Sequence, residues 1–320
     1  MRDLHQQIRQ VLADAATVAV IAHVRPDGDA IGSVLGLGTL LTEAGKQVQF
    51  ILPDGASALY KHMAHYDRIQ TRLQEPVDVV VVLDCSDLLR TGDVLNGRKV
   101  DINIDHHPTN ELFADINLVE VEAAATSQII TLCAQHWGLG LSKTAAEPLM
   151  AGILTDTIGF RTSNTTADTL RAAALLMEQG VDMSGLYYNT LLKRSYQSVK
   201  LWGRGLEHLQ KDGRLAWTVL DEDDRQASRY SGKDDAELTA LLATIKGVDV
   251  IVVFVAQDDN HVKVSWRATN GVDVSNLAVS FNGGGHAPAS GATVEGTLDE
   301  VIERVLGETK KLLQERRKQD

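Results

Sequence analysis

The chain has 320 residues, 44% of them hydrophobic and 23% charged, with a formal net charge of −12. That length suits two modest domains, and no apolar run approaches the ~20 residues that a membrane span requires. The acidic balance argues against duplex DNA, whose sequence-blind binding needs many cations on phosphates, yet it admits a short phosphorylated substrate if metal ions supply positive charge locally.

The first segment, MRDLHQQIRQVLADAA, has amphipathic helical spacing with acids among its bases, unlike a secretory signal. VAVIAH at 18–23 reads as a buried strand, followed by a glycine-punctuated helix over 30–45. Further strands are expected at 47–52, 77–84 and 99–105, and helices at 125–137, 143–157 and 166–179. Val/Ile runs alternating with helices predict an α/β fold, with a mainly parallel sheet flanked by helices. A stretch near 182–210 reads as one or two bridging helices. Beyond it, strands at 215–221, 248–257 and 261–268 and helices at 235–245, 273–281 and 298–316 predict a smaller α/β C-terminal domain, with a hairpin turn at Asp258-Asp259-Asn260. The expected boundaries are a catalytic domain over 1–190, a helical linker over 191–212 and a substrate domain over 213–320. Cys85 and Cys133 lack C-x-x-C spacing, so neither a disulfide framework nor a thiolate zinc site is expected, and a reducing cytoplasm fits best.

Ligands collect beyond the carboxyl ends of parallel strands, and polar residues cluster there. His23 closes the first strand, Asp84 closes VDVVVVLD, and Asp105-His106-His107 closes KVDINID. Asp27 and Asp29 are expected in the loop after the first strand, with Gly28 letting the backbone turn so that both carboxylates aim at one cavity. Asp156 interrupts an apolar helical segment and is costly to bury without a partner. Any one of these reads more readily as a turn or cap residue. Together, four aspartates call for two divalent cations, and imidazole with carboxylate suits manganese first, with magnesium, cobalt or zinc as alternates.

H-V-R-P-D-G-D-A-I-G-S at 23–33, V-L-D at 82–84, D-H-H-P-T-N at 105–110 and T-D-T at 155–157 resemble the four successive motifs of the DHH phosphoesterase superfamily. S-W-R-A at 265–268 and G-G-G-H-A-P-A-S-G at 283–291 are similar to its associated C-terminal substrate domain. Length and domain pairing resemble the stand-alone NrnA-type branch of nanoRNases and 3′-phosphoadenosine-5′-phosphate phosphatases. The resemblance implies that His23, Asp27 and Asp84 bind one manganese, and that Asp29, Asp84, His106 and Asp156 bind the second, Asp84 bridging. It further implies that His107 contacts the scissile phosphate, while Asp105 is expected to orient a histidine by a hydrogen bond.

The expected chemistry is phosphate-ester hydrolysis by water that two metals activate. Gly284 and Gly285 are expected to bring backbone N–H groups to an anion, His286 to donate a hydrogen bond and Arg267 to take a phosphate bidentately. The leading substrates are short oligoribonucleotides and 3′-phosphoadenosine-5′-phosphate, and a homodimer is left open. Rival readings are a cyclic or linear diadenylate phosphodiesterase and a non-catalytic nucleotide sensor, although a sensor is expected to lack ligands and all six positions are filled. Gly32, Gly36 and Gly38 do not form G-x-G-x-x-G and are read as close helix packing. Arg161, Asn110 and Arg204 are not ranked above structural roles.

Overall fold

The computed structural model describes residues 2–74, 76–258 and 260–316, except for the side chains of residues 2, 3 and 286. The chain divides into two compact units, Met1–Lys193 and Arg194–Asp320.

The first unit runs α1 (Arg2–Asp14), β1 (Thr17–Ile21), α2 (Gly28–Glu43), β2 (Gln47–Ile51), β3 (Ile69–Gln70), β4 (Val79–Leu83), β5 (Ile102–Asp105), β6 (Ile116–Val119), α3 (Thr126–Cys133), α4 (Lys143–Asp156), α5 (Ala167–Glu178) and α6 (Met183–Tyr187). Its six strands form one parallel sheet in the order β3-β2-β1-β4-β5-β6. Alternation along the strands explains the unbroken apolar runs. Val18, Val20, Val79, Val81 and Leu83 join the core shared with α2 and α4, while Ala19, Ile21, Val80 and Val82 join a second core with Val94, Leu95 and Val100 on the other face.

Helices α2 and α4 meet through glycines, as the spacing of Gly32, Gly36 and Gly38 predicts. A Cβ on Gly32 would lie 2.4 Å from the Pro148 carbonyl oxygen, and one on Gly36 would lie 2.5 Å from the Leu149 side chain. Gly38 does the same work against Phe50, with 2.3 Å to a ring carbon.

The second unit runs α7 (Tyr196–Glu207), β7 (Gln210–Asp212), β8 (Leu215–Leu220), α8 (Glu222–Ser228), α9 (Leu238–Leu242), β9 (Val250–Asp258), β10 (His261–Ala268), α10 (Ser275–Ser280), β11 (Gly284–His286), β12 (Ala289–Glu295) and α11 (Leu298–Arg316). Its sheet has the order β11-β12-β10-β9-β8-β7, parallel only between β8 and β9. Strands β9 and β10 pair antiparallel as the sequence predicts, though Asp259 of their turn lies outside the described residues. Buried Val250, Val252, Phe254 and Trp266 line one face and Ile251, Val253 and Val255 the other.

Three expectations change. The helix expected over 30–45 begins at Gly28, so Asp29 sits in its first turn and not in the preceding loop. Gly28 is therefore helical, and its missing Cβ matters for space: it would lie 2.3 Å from the Thr155 hydroxyl oxygen and 2.5 Å from that of Tyr60. Gly284 and Gly285, expected to present N–H groups to an anion, lie in the edge strand β11, which pairs with β12.

Candidate metal centre

The strand order reverses between β1 and β4, where loops leaving the sheet run to opposite faces and open a crevice at the carboxyl ends. His23 follows β1 by two residues, Asp84 follows β4 directly, and Asp105 ends β5 ahead of His106 and His107. Asp84 adopts a φ of 52°, rare for a residue with a side chain. Its N–H donates to the Ile104 carbonyl at 3.0 Å.

The two Asp84 oxygens face different neighbours. Oδ2 lies 3.6 Å from His23 Nε2, whereas Oδ1 lies 3.5 Å from His106 Nε2 and 3.8 Å from His107 Nδ1. His23 Nε2 is also 4.0 Å from Asp27 Oδ2, and His106 Nε2 is 3.3 Å from Asp156 Oδ2. His23 donates through Nδ1 to the Val24 carbonyl at 2.8 Å, and His106 through Nδ1 to that of Ala123 at 3.2 Å. Each bond turns Nε2 toward the carboxylates.

Helix α2 aims two carboxylates. Asp27 is its N-cap, Oδ1 accepting the N–H groups of Asp29 at 3.1 Å and Ala30 at 3.0 Å. That bond pattern directs Oδ2 toward His23. Asp29, fully buried, accepts the N–H of Thr126 on Oδ2 at 2.6 Å and the N–H of Ser127 on Oδ1 at 3.0 Å. The N-cap of α3, Ala125, offers no side-chain acceptor, so Asp29 caps that helix from 97 residues away. Asp156 is the last residue of α4.

His23, Asp27 and Asp84 thus bring ligand atoms within 4.8 Å of one another, as do Asp29, His106 and Asp156, and likewise Asp84, His106 and His107. Burial and the charge of Asp84 push Asp29 up to about 7, and desolvation by the surrounding groups with the same charge raises Asp27, although its side chain keeps an exposed surface. Burial and the charge of Asp29 raise Asp156 well above the ordinary carboxylate range. Against the upward pull of burial, hydrogen bonds from His106 and His23 hold Asp84 low. Burial lowers His106, but its bonds to Asp156 and Asp84 outweigh this and raise it to about 12; His23 is raised by the same balance. Carboxylates that hold protons because they are desolvated and their charges repel are a donor set that divalent cations would satisfy, and carboxylate with imidazole fits manganese, magnesium or cobalt.

His107 is within reach of Asp84 but is held more closely by another carboxylate. Its Nδ1 donates to Asp105 Oδ1 at 2.7 Å, and Asp105 Oδ2 accepts from Asn110 Nδ2 at 2.6 Å. The histidine that buried Asp105 orients is therefore His107. In the second unit, Arg267 of β10 and His286 of β11 both register with Ala289 of β12, placing the three in one row across the sheet. The His286 side chain lies outside the described residues. Gly284 is open on its Cβ side, while Gly285 has φ 141° and stands where a Cβ would lie 2.5 Å from the Ala289 carbonyl oxygen.

Sequence reasoning missed Thr126, Ser127 and Gly152. A Cβ on Gly152 would lie 2.1 Å from Ser127 Oγ and 2.6 Å from Asp29 Oδ1, so the glycine makes room for the buried carboxylate. The available signal was T-S opening a helix after three alanines, at 123–127, where nothing local caps the helix.

The DHH family N-terminal domain matches residues 17–153, and the DHHA1 domain matches residues 212–315. The bifunctional oligoribonuclease and PAP phosphatase NrnA of Thermus thermophilus is 35% identical over 294 residues, covering 90% of this chain and 88% of the relative. The protein of the same name in Bacillus subtilis is 30% identical over 305 residues, covering 93% and 95%. Among solved structures, an exopolyphosphatase-related protein from Bacteroides fragilis superposes with a TM-score of 0.90 at 28% identity, covering 98% of both chains. No helix among the described residues is long and apolar enough to cross a membrane. With both domains matched and the motif residues gathered at one crevice, the chain belongs to the DHH family of phosphoesterases, hydrolases of phosphoric ester bonds.

Proposed function

We propose that this phosphoesterase uses two manganese ions to hydrolyse short oligoribonucleotides to mononucleotides and 3′-phosphoadenosine-5′-phosphate to AMP. The observation that carries the two-ion part is the split carboxylate of Asp84, with one oxygen facing His23 and the other His106. In this reading His23, Asp27 and Asp84 hold one ion, and Asp29, Asp84, His106 and Asp156 hold the other. The substrate part draws support from the activities named for the Thermus and Bacillus relatives, whose lengths this chain nearly spans.

Two bound divalent ions would lower the pKa of water and screen the phosphate oxygens. The chain supplies the rest. Asp105 fixes the His107 ring through Nδ1, and His107 would donate through Nε2 to a phosphate oxygen as charge develops there. The Nδ1 bonds of His23 and His106 keep their Nε2 atoms presented for ligation. Arg267, Gly284, Gly285 and His286 would receive the remaining phosphates or the base of a substrate a few nucleotides long, which accords with a net charge of −12. A cytoplasmic location and a homodimer belong to the same proposal.

The test is manganese-dependent turnover by purified protein of 5′-labelled RNAs of graded length, 3′-phosphoadenosine-5′-phosphate, linear and cyclic diadenylate, and pyrophosphate. Preference for RNAs of a few nucleotides together with 3′-phosphoadenosine-5′-phosphate is expected. Preference for pyrophosphate or a diadenylate, or no turnover with manganese, would overturn the assignment.

A further inference from the structure

We infer that Thr126 is a positioning residue for the bridge at Asp84, an inference that rests on the two-ion reading above. The Thr126 side chain is fully buried, and its Oγ1 donates to Asp84 Oδ1 at 3.1 Å. Its backbone N–H donates to Asp29 Oδ2 at 2.6 Å. One residue at the start of α3 therefore holds the carboxylate shared by both clusters and a carboxylate of the second cluster.

The need for such a contact comes from the aspartate side chain itself. Rotation of a carboxylate about its last bond is soft, with a broad profile and no staggered wells to fix it. Backbone placement alone leaves undefined where the two Asp84 oxygens point. A bridge requires Oδ2 to stay toward His23 and Oδ1 toward His106. The three imidazoles around Asp84 cannot fix this rotation if they serve as ligands or face the phosphate. A neutral hydroxyl can.

Thr126 is built to hold still. Its β-branched side chain restricts χ1. Its helix is anchored at the next residue, where the Ser127 N–H reaches Asp29 Oδ1 at 3.0 Å and Ser127 Oγ lies 2.9 Å from Ser33 Oγ. Ser33 lies on α2, the helix that carries Asp29. The donor to Asp84 and the support of Asp29 are thus fixed to the same two helices.

Thr126→Val keeps the shape, the β-branch and the backbone N–H to Asp29 while deleting the hydroxyl, and Thr126→Ser keeps the hydroxyl. Manganese binding to the full chain, followed by electron paramagnetic resonance of the free ion, separates them. Loss of a residue that orients a metal ligand typically weakens binding roughly 10- to 100-fold, and Thr126→Val is expected to show this for at least one ion. Thr126→Ser should stay close to wild type, and thermal unfolding in chelator should be similar for all three proteins. Thr126→Ala, also lacking the hydroxyl, gives the same reading should the valine protein fail to fold. Wild-type affinity for both ions in Thr126→Val or Thr126→Ala would overturn the inference, as would a loss in Thr126→Ser equal to theirs. A wild-type protein that binds no manganese would instead overturn the two-ion reading on which the inference stands.

Discussion

His106 Nε2 lies 3.3 Å from Asp156 Oδ2, joining the end of β5 to the last residue of α4 across 50 positions of sequence. The contact closes the second of the proposed ligand clusters.

It also sets a pH dependence. The metal-free histidine is raised to about 12 from an ordinary 6.5, so the stability from its bonds is fully present below 6.5 and is lost as pH rises toward 12. Asp29 is raised to about 7 from 3.8, so the folded chain binds its proton more tightly than the unfolded one, and stability falls as pH rises between those values. Asp84 is held low, so its favourable contribution is complete above 3.8 and is lost only in stronger acid. From pH 5 to 8 the metal-free site therefore loses stability, and a divalent ion that displaces its protons binds more tightly. The rise in unfolding midpoint caused by manganese should be larger at pH 8 than at pH 5.5. A rise independent of pH, or larger at pH 5.5, would contradict this.

Gly152→Ala places a methyl group 2.6 Å from Asp29 Oδ1 and 2.1 Å from Ser127 Oγ. Overpacking of a tight interior costs about 1–3 kcal/mol, and here the displaced group is a proposed ligand. Urea denaturation should show a loss of that order, accompanied by weaker manganese binding. Unchanged stability and binding would mean that Asp29 can shift without consequence.

Asp105→Asn keeps the size of the side chain but removes the charge that faces His107 Nδ1 at 2.7 Å. Because Asp105 is assigned to no ion, manganese binding should stay near wild type while kcat falls by roughly 10- to 100-fold, the scale for loss of an orienting partner. A large loss of manganese would make Asp105 part of the metal centre instead.

Arg267→Ala should raise KM, by about 10-fold, with kcat little changed if the guanidinium supplies binding that is equal in ground and transition states. An unchanged KM measured with 3′-phosphoadenosine-5′-phosphate would remove Arg267 from the proposed substrate contacts.

The residues that were legible in the sequence are those where local chemistry conflicts with local structure. His23, Asp84 and His106 end or follow apolar strands, and a polar group there is conspicuous because the parallel sheet is buried on both faces. Asp156 was conspicuous for the same reason at the end of an apolar helix. Thr126 and Gly152 gave no such signal. Threonine at a helix start and glycine in a helix are common, and their meaning lies in Asp29, 97 and 123 positions away. Helix α2 begins two residues before the expected start because Asp27, read as a loop ligand, also serves as its cap. Strands β11 and β12 were missed because G-G-H and A-S-G-A-T-V-E are rich in glycine and alanine, and their pairing, β12 on β10 and β11 in turn on β12, does not come from their own propensity.

The central claim is that one carboxylate serves two ions, and counting ions tests it most directly. Manganese titrated into chelator-treated protein should fill two sites per chain. Asp84→Asn, which preserves the side-chain volume but removes the shared charge, should weaken both sites and abolish turnover. A wild-type stoichiometry of one, or an Asp84→Asn protein that still fills two sites at wild-type affinity, would contradict the account.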